Sequence, residues 1–281
     1  MQEFNEISVF APAKVNLHLA VLDKREDGFH DLESVFLAVD FGDTLYFQPG
    51  EDNKTKIVIE GSAKHPSIPD NIILRAVSLF REKTGFSQGL KIRVEKRIPI
   101  GGGLGGGSSN AAATLLALNK IAGSPLNRQT LLEMAAVLGS DVPFFIYETP
   151  AAWVFGRGER IQPIEAPCQF LVLVNPGFSS DTVRAFKLLD EYRVQRNFLK
   201  DSDAFLLLRN DFLPVFKEKE RAVYNEIISR LHLLGAELAS LSGAGSTCFG
   251  VFKTLEQAQN AANVLSGKWE FVQVCYSHCE R

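Results

Sequence analysis

The sequence predicts an α+β protein built as two packed units. Three observations carry this expectation. A length of 281 residues sits at the upper limit of what one hydrophobic core organises. Period-two alternation dominates the first half, and the second half mixes short apolar strands with helices without a steady βαβ rhythm. The composition is that of a globular chain, with 46% hydrophobic and 22% charged residues. Lys plus Arg is 30 and Asp plus Glu 33, a net charge of −3 with no basic block, which argues against non-specific nucleic-acid binding. The longest apolar runs, near 142–147 and 170–174, fall far short of the ~20 residues of a membrane-spanning helix. The start of the chain carries Glu3 and Glu6 and has no basic region preceding an apolar stretch, so it does not read as a signal peptide. The expectation is a cytoplasmic protein, monomeric or homodimeric, that binds neither nucleic acid nor membrane.

The elements follow in order. Residues 14–22 alternate Val15, Leu17, Leu19 and Val21 with Asn16, His18 and Ala20, the pattern of a half-buried strand. Further strands are expected at 34–40, 44–48, 56–60 and 90–96. Asp70 reads as the N-cap of a helix whose apolar residues Ile73, Ala76, Val77 and Phe80 share one face. A second helix opens at Ser108 or Ser109 and runs to Ile121; a third spans 127–138 and is stopped by Gly139. Beyond these come a strand at 170–174, helices at 182–189, 203–209 and 217–234, strands at 237–241 and 247–252, a helix at 255–265 and a strand at 270–276. The division between units is placed near Ala166, giving 1–166 and 167–281. Four cysteines are too few and too scattered for a disulfide framework, so reduced thiols are expected. Cys275, His278 and Cys279 are close enough to suggest a metal site. They lack a second ligand pair at zinc-ribbon spacing, and a terminal strand with a polar tail is the simpler reading.

One segment is unusual. Six of the 22 glycines fall in Arg97-Ile98-Pro99-Ile100-Gly101-Gly102-Gly103-Leu104-Gly105-Gly106-Gly107-Ser108-Ser109, between a strand and an alanine-rich helix. Glycines permit positive φ and expose backbone N–H groups with no Cβ in the way. The helix start adds unpaired N–H groups and a positive dipole, so the segment suits a phosphate. A flexible linker is the alternative, but linkers rarely sit between two such elements. Gly101-x-Gly103-x-x-Gly106 matches the dinucleotide pattern without its βαβ unit. The Gly-Lys-Ser/Thr ending of a P-loop is missing, as are the companion motifs of protein kinases.

The loop Pro99-Ile100-Gly101-Gly102-Gly103-Leu104-Gly105-Gly106-Gly107-Ser108-Ser109 resembles the phosphate loop of the GHMP small-molecule kinases. Ala11-Pro12-Ala13-Lys14-Val15-Asn16 resembles the first motif of that superfamily, and Ser242-Gly243-Ala244-Gly245-Ser246-Thr247 the third. Asp27-Gly28-Phe29-His30 and Gly139-Ser140-Asp141-Val142-Pro143 point to the branch that phosphorylates a cytidine-diphosphate-linked methylerythritol. The resemblance runs from Phe10 to Phe252. It implies an N-terminal ribosomal-protein-S5-like β-α domain and a C-terminal ferredoxin-like α/β sandwich, with the active site in the cleft between them. It also implies ATP as phosphoryl donor. Lys14 and Asp141 match the catalytic pair; Asn16, Phe29, His30, Thr182 and Phe186 match substrate-side positions. Asn71, Lys96, Pro99, Ile100, Gly101, Gly102, Gly103, Leu104, Gly105, Gly106, Gly107, Ser108 and Ser109 match the nucleotide side.

These residue types suit the chemistry. A hydroxyl becomes a useful nucleophile as a base takes its proton, the role the resemblance gives Asp141; spacing alone favours an N-cap aspartate for the following apolar segment, and the resemblance reverses that preference. Lys14 lies on the polar side of its strand, which by pattern alone reads as a solvent face. With the motif it is a point charge beside Asp141 and the transferring phosphoryl group. Phe29 and Phe186 can stack on the two faces of a cytosine while His30 bonds its edge. Mg²⁺ is expected from the chemistry of phosphoryl transfer, with Ser108 or Ser109 near it and no acidic motif to hold it. Phe29 stands where the family usually has tyrosine, Ala244 where it more often has Ser or Thr, and Asp23 where it has glycine.

Overall fold

The computed structural model describes residues 4–61, 71–166, 168–196 and 209–277. The first half forms β1 (Ile7–Lys24), β2 (His30–Pro49), β3 (Thr55–Glu60), α1 (Ile72–Thr84), β4 (Leu90–Glu95), α2 (Gly106–Ile121), α3 (Arg128–Leu138), α4 (Val142–Tyr147), β5 (Ala151–Gly156) and β6 (Arg160–Ile164). The second contains β7 (Phe170–Asn175), α5 (Thr182–Arg196), a 3-10 turn at Leu213–Val215, α6 (Glu218–Leu233), β8 (Leu238–Leu241), β9 (Cys248–Phe252), α7 (Leu255–Ser266) and β10 (Phe271–Tyr276).

The first sheet runs β3-β4-β2-β5-β6, with β1 antiparallel to β2. The long β2 pairs its later half with β4 and its earlier half with β5. What reads as two strands at 34–40 and 44–48 is therefore one. Its partner β1 follows the expected alternation only in part: the register shifts between Asn16 and His18 and leaves Leu17 as an extra residue. The β5–β6 hairpin is not anticipated by the strand pattern. Pro163 is accommodated because β6 lies at the edge of the sheet.

The second sheet is antiparallel, ordered β10-β7-β9-β8. Strand alternation explains how the layers stack. On β7, Val172 and Val174 face the core shared with Phe212, Tyr224 and Ala258, while Leu171 and Leu173 face the other way. These last two join Val15, Leu37, Val39, Phe41 and Leu104 in a core between the two sheets. The other face of the first sheet packs Phe36, Leu45 and Phe47 on α1, α2, α3 and α4. Strands buried on both faces explain why β7 reads as a continuous apolar run. The end of β1 crosses to the second half, where Leu19 N donates to Arg209 O at 2.8 Å and accepts Asp211 N on its carbonyl at 3.1 Å.

Several expectations change. Asn71, not Asp70, is the N-cap of α1, its Oδ1 accepting from Ile73 N at 2.9 Å; Asp70 lies outside the described residues. Helix α2 starts at Gly106, ahead of Ser108, because glycines that leave the loop at positive φ can enter the helix at once. The helix expected at 203–209 lies almost wholly outside the described residues. Cys168 is disulfide-bonded, against the expectation of reduced thiols throughout, while Cys248 and Cys275 are free and buried. His278 and Cys279 lie outside the described residues, and burial raises the Cys275 thiol well above its ordinary range. Among the described residues, no group of three His, Cys, Asp or Glu side chains is placed to hold a metal. None of their helices is long and apolar enough to cross a membrane.

Candidate active site

The glycine loop owes its shape to bonds from outside it. Asp43, fully buried on β2, accepts Arg97 N at 2.7 Å and Ile98 N at 2.8 Å, and Lys96 Nζ sits 2.5 Å from its second oxygen. Burial lowers the Lys96 pKa, and the neighbouring Asp43 carboxylate only partly offsets that. Past this anchor, Gly101, Gly103 and Gly105 adopt φ of 66°, 74° and 70°. A Cβ on Gly103 would lie 2.1 Å from Ser242 O, so the position excludes any side chain. The carbonyls of Gly101, Gly102, Gly103 and Leu104 accept from Ser180 N, Thr247 N, Ser242 Oγ and Lys14 N at 2.9–3.1 Å. Three of those donors belong to the second half of the chain. With its acceptors committed to protein, the loop leads into α2, whose first N–H groups have no intrahelical partner, and the segment fits an anion.

Across the cleft lies the charged pair. Lys14 is 3% exposed, and its Nζ donates to Asn16 Oδ1 at 2.6 Å, lies 4.3 Å from the Phe36 ring centroid and pairs with Asp141 Oδ2 at 3.3 Å. Asn16 Nδ2 in turn donates to Ser34 Oγ at 3.0 Å. The polar side of β1 is thus the wall of the cleft and not a solvent face. Asp141 occupies the N-cap position of α4, yet its side chain makes no capping bond. Its carboxylate is turned toward Lys14 and remains partly exposed.

The far end of the cleft is built from side chains. Phe29 is 53% exposed, with the Arg157 guanidinium 4.9 Å from its ring centroid. His30 is buried; its ring stacks on Phe186 at 5.2 Å and 19°, and Phe186 meets Phe212 edge-on at 4.9 Å. His30 Nε2 lies 2.7 Å from Asp190 Oδ1, and Lys24 Nζ donates to Asp190 Oδ2 at 2.7 Å. Partial burial raises the Asp190 pKa, but the hydrogen bonds from Lys24 and His30 outweigh it and hold the carboxyl below its usual range.

These groups line one cleft of about 870 Å³. It brings together Lys14, Asn16, Phe29, His30, Asn71, Lys96, Pro99, Ile100, Gly101, Gly102, Gly103, Leu104, Gly105, Gly106, Gly107, Ser108, Asp141, Thr182 and Phe186. Ser109 is the exception: it lines a smaller cavity beside Phe144 and Pro150, and its buried hydroxyl has no protein partner. Because α2 already begins at Gly106, Ser108 and Ser109 point about 100° apart and cannot both face the cleft. The ring stacked on Phe186 is that of His30. Sequence reasoning passed over Asp43, Ser34, Asn110, Arg157 and Asp190, all of which line this cleft or support its walls. For Asp43 the local signal is only a charged residue inside a strand; for Asp190 there is none.

Comparison with known proteins adds an independent line. Models of the GHMP kinases N terminal domain and the GHMP kinases C terminal domain match residues 71–149 and 206–270. The 4-diphosphocytidyl-2-C-methyl-D-erythritol kinase of Syntrophus aciditrophicus (strain SB) is 38% identical, the match covering 94% of this chain and 96% of the relative. A crystal structure of a 4-(cytidine 5'-diphospho)-2C-methyl-D-erythritol kinase superposes with a TM-score of 0.81 at 31% identity, covering 97% of this chain and all of that one. The Methanococcus jannaschii mevalonate kinase superposes at 0.70 with 14% identity over 99% of this chain and 100% of that one, a likeness of fold alone.

Proposed function

From the premise that the chain belongs to the 4-diphosphocytidyl-2-C-methyl-D-erythritol kinases of the GHMP superfamily, we propose how its cleft performs that reaction. The enzyme transfers a phosphoryl group from ATP to the 2-hydroxyl of 4-diphosphocytidyl-2-C-methyl-D-erythritol, giving the 2-phosphate and ADP. The step belongs to non-mevalonate synthesis of isoprenoid precursors.

The observation that carries the site reading is the Lys14–Asp141 pair facing the glycine loop across one cleft. Asp141 accepts the proton of the attacking hydroxyl as the bond to phosphorus forms. Lys14, held by Asn16, pairs with that carboxylate and places positive charge beside the oxygens of the transferring group. The glycine-loop N–H groups, the start of α2 and Lys96 receive the ATP phosphates, and Asn71 lines the nucleotide end. Phe29, His30, Thr182 and Phe186 receive the cytidine end, which fixes the acceptor hydroxyl relative to Asp141. Ser108 and Asp141 are the protein oxygens that would accompany Mg²⁺. So sparse a set fits an ion that keeps mostly phosphate and water ligands. When bound, it supplies charge neutralisation on the β and γ phosphates. The same reading takes 1–166 and 167–281 as the two domains, a cytoplasmic location and a monomer or homodimer.

Measuring ADP release with the cytidine-linked alcohol, mevalonate and homoserine tests the assignment. Turnover of the cytidine compound far above the other two is expected. Turnover of mevalonate or homoserine in its place would overturn it.

A further inference from the structure

Asp190 has no part in the chemistry above, yet it holds the one histidine that lines the cleft among the described residues. Its carboxyl stays ionised, so it can only accept hydrogen bonds, and the 2.7 Å contact to His30 Nε2 requires that this nitrogen carry the proton. The second carboxylate oxygen is occupied by Lys24 at 2.7 Å, which fixes the carboxylate plane from the other side. Stacking on Phe186 at 19° restrains the ring against rotation. Three constraints therefore act on one buried imidazole, and with Nε2 committed to Asp190 the ring nitrogen left to a ligand is Nδ1. In the neutral ring with Nε2 protonated, Nδ1 offers a lone pair and no hydrogen.

We propose that Asp190 is a positioning residue that makes His30 a hydrogen-bond acceptor and thereby selects a base bearing an exocyclic amino group over one bearing a carbonyl at the same place. Cytosine presents an amino donor at C4, where uracil presents an oxygen. An acceptor at Nδ1 pairs with the first and opposes the second, lone pair against lone pair. Without Asp190, Nδ1 can take up the proton instead, and the ring can serve either base. A site built to hydrogen-bond one group rejects the analogue lacking it because a buried polar atom is otherwise left unpaired. This inference rests on the reading that the aromatic end of the cleft receives the cytidine.

The test compares kcat/KM for the cytidine-linked substrate and its uridine-linked analogue in the wild type and in Asp190→Ala. The wild type should favour cytidine. The variant should lose about tenfold of that preference, the scale of one hydrogen bond, through KM and with KM for ATP unchanged. A parallel fall for both substrates, or an unchanged ratio, would overturn the role of Asp190. If Asp190→Ala does not fold, imidazole ¹⁵N shifts of the wild-type protein report the tautomer directly; a proton on Nδ1 in place of Nε2 would also overturn it. Failure of the wild type to turn over the cytidine compound would instead sink the substrate assignment, so the two failures are separable.

Discussion

At the glycine-loop end of the cleft the ligand-facing surface is main chain, held by donors on the carbonyls of Gly101 to Leu104. At the Phe29 end it is side chain, with an exposed phenyl under Arg157 and an imidazole tied to Asp190. The glycine-loop end is fixed by backbone conformations and by contacts that leave no room for a Cβ. The Phe29 end is fixed by rotamers and long-range polar pairs. Under the proposed reading the division has a reason: a phosphate is the same in every nucleotide, so a rigid backbone cradle suffices, whereas a base has an identity that side chains must read. Substitutions should accordingly act steeply at the first end and in graded steps at the second.

The largest effect is expected where the two ends meet. Asp141→Asn removes the proposed base while preserving shape, and kcat should fall by about 10²–10⁴ with ATP binding retained by calorimetry. A kcat within a few-fold of wild type would remove Asp141 from the chemistry and leave Lys14 as the principal charge. Next comes Gly103→Ala, which combines φ of 74° with a contact 2.1 Å from Ser242 O. The backbone conformation alone costs about 1–3 kcal/mol, and the clash adds to it. Thermal unfolding should shift down and KM for ATP rise; an unchanged KM for ATP would mean that the cradle is less rigid than its bonds suggest.

At the opposite end, Phe29→Ala should raise KM for the cytidine substrate with little change for ATP. Stacking on a base is worth about 1–3 kcal/mol, and half-exposure of the ring points to the lower part of that range. Equal effects on both substrates would erase the distinction between the ends. The smallest effect concerns stability against pH. Asp190 titrates below its usual range in the folded protein, so its pairing stabilises above the unfolded-state value near 4 and is lost as pH falls through the lowered folded value. Asp190→Asn should therefore flatten the acid limb of a stability–pH curve, by well under 1 kcal/mol because Asp190 and Lys24 are both partly exposed.

Legibility in the sequence followed the same division. The glycine loop, the apolar face of α1 and much of the alternation of β1 are written in consecutive residues, and the glycine-loop wall of the cleft is therefore legible before the fold is known. Ser109 is misread because its direction depends on where α2 begins, and that depends on how the loop is bonded to β1 and to the turns before α5 and β9. The polar side of β1 reads as solvent-facing because a strand pattern distinguishes faces but not what covers them. Asp43 and Asp190 escape notice because their partners lie far along the chain: Lys96 for the first, His30 for the second.

By itself the sequence determined the two-unit α+β plan and the glycine loop between a strand and an alanine-rich helix, and its short motifs carry the resemblance that implies the roles of Lys14 and Asp141. Periodicity, glycine spacing and short motifs are local, and local rules of backbone sterics and burial fix their meaning. Only the tertiary structure decided that Lys14 is buried beside Asp141, that Ser108 and not Ser109 faces the cleft, and that Asp190 meets His30. Those facts depend on distances between groups brought together by packing, and no local pattern encodes a distance across a fold.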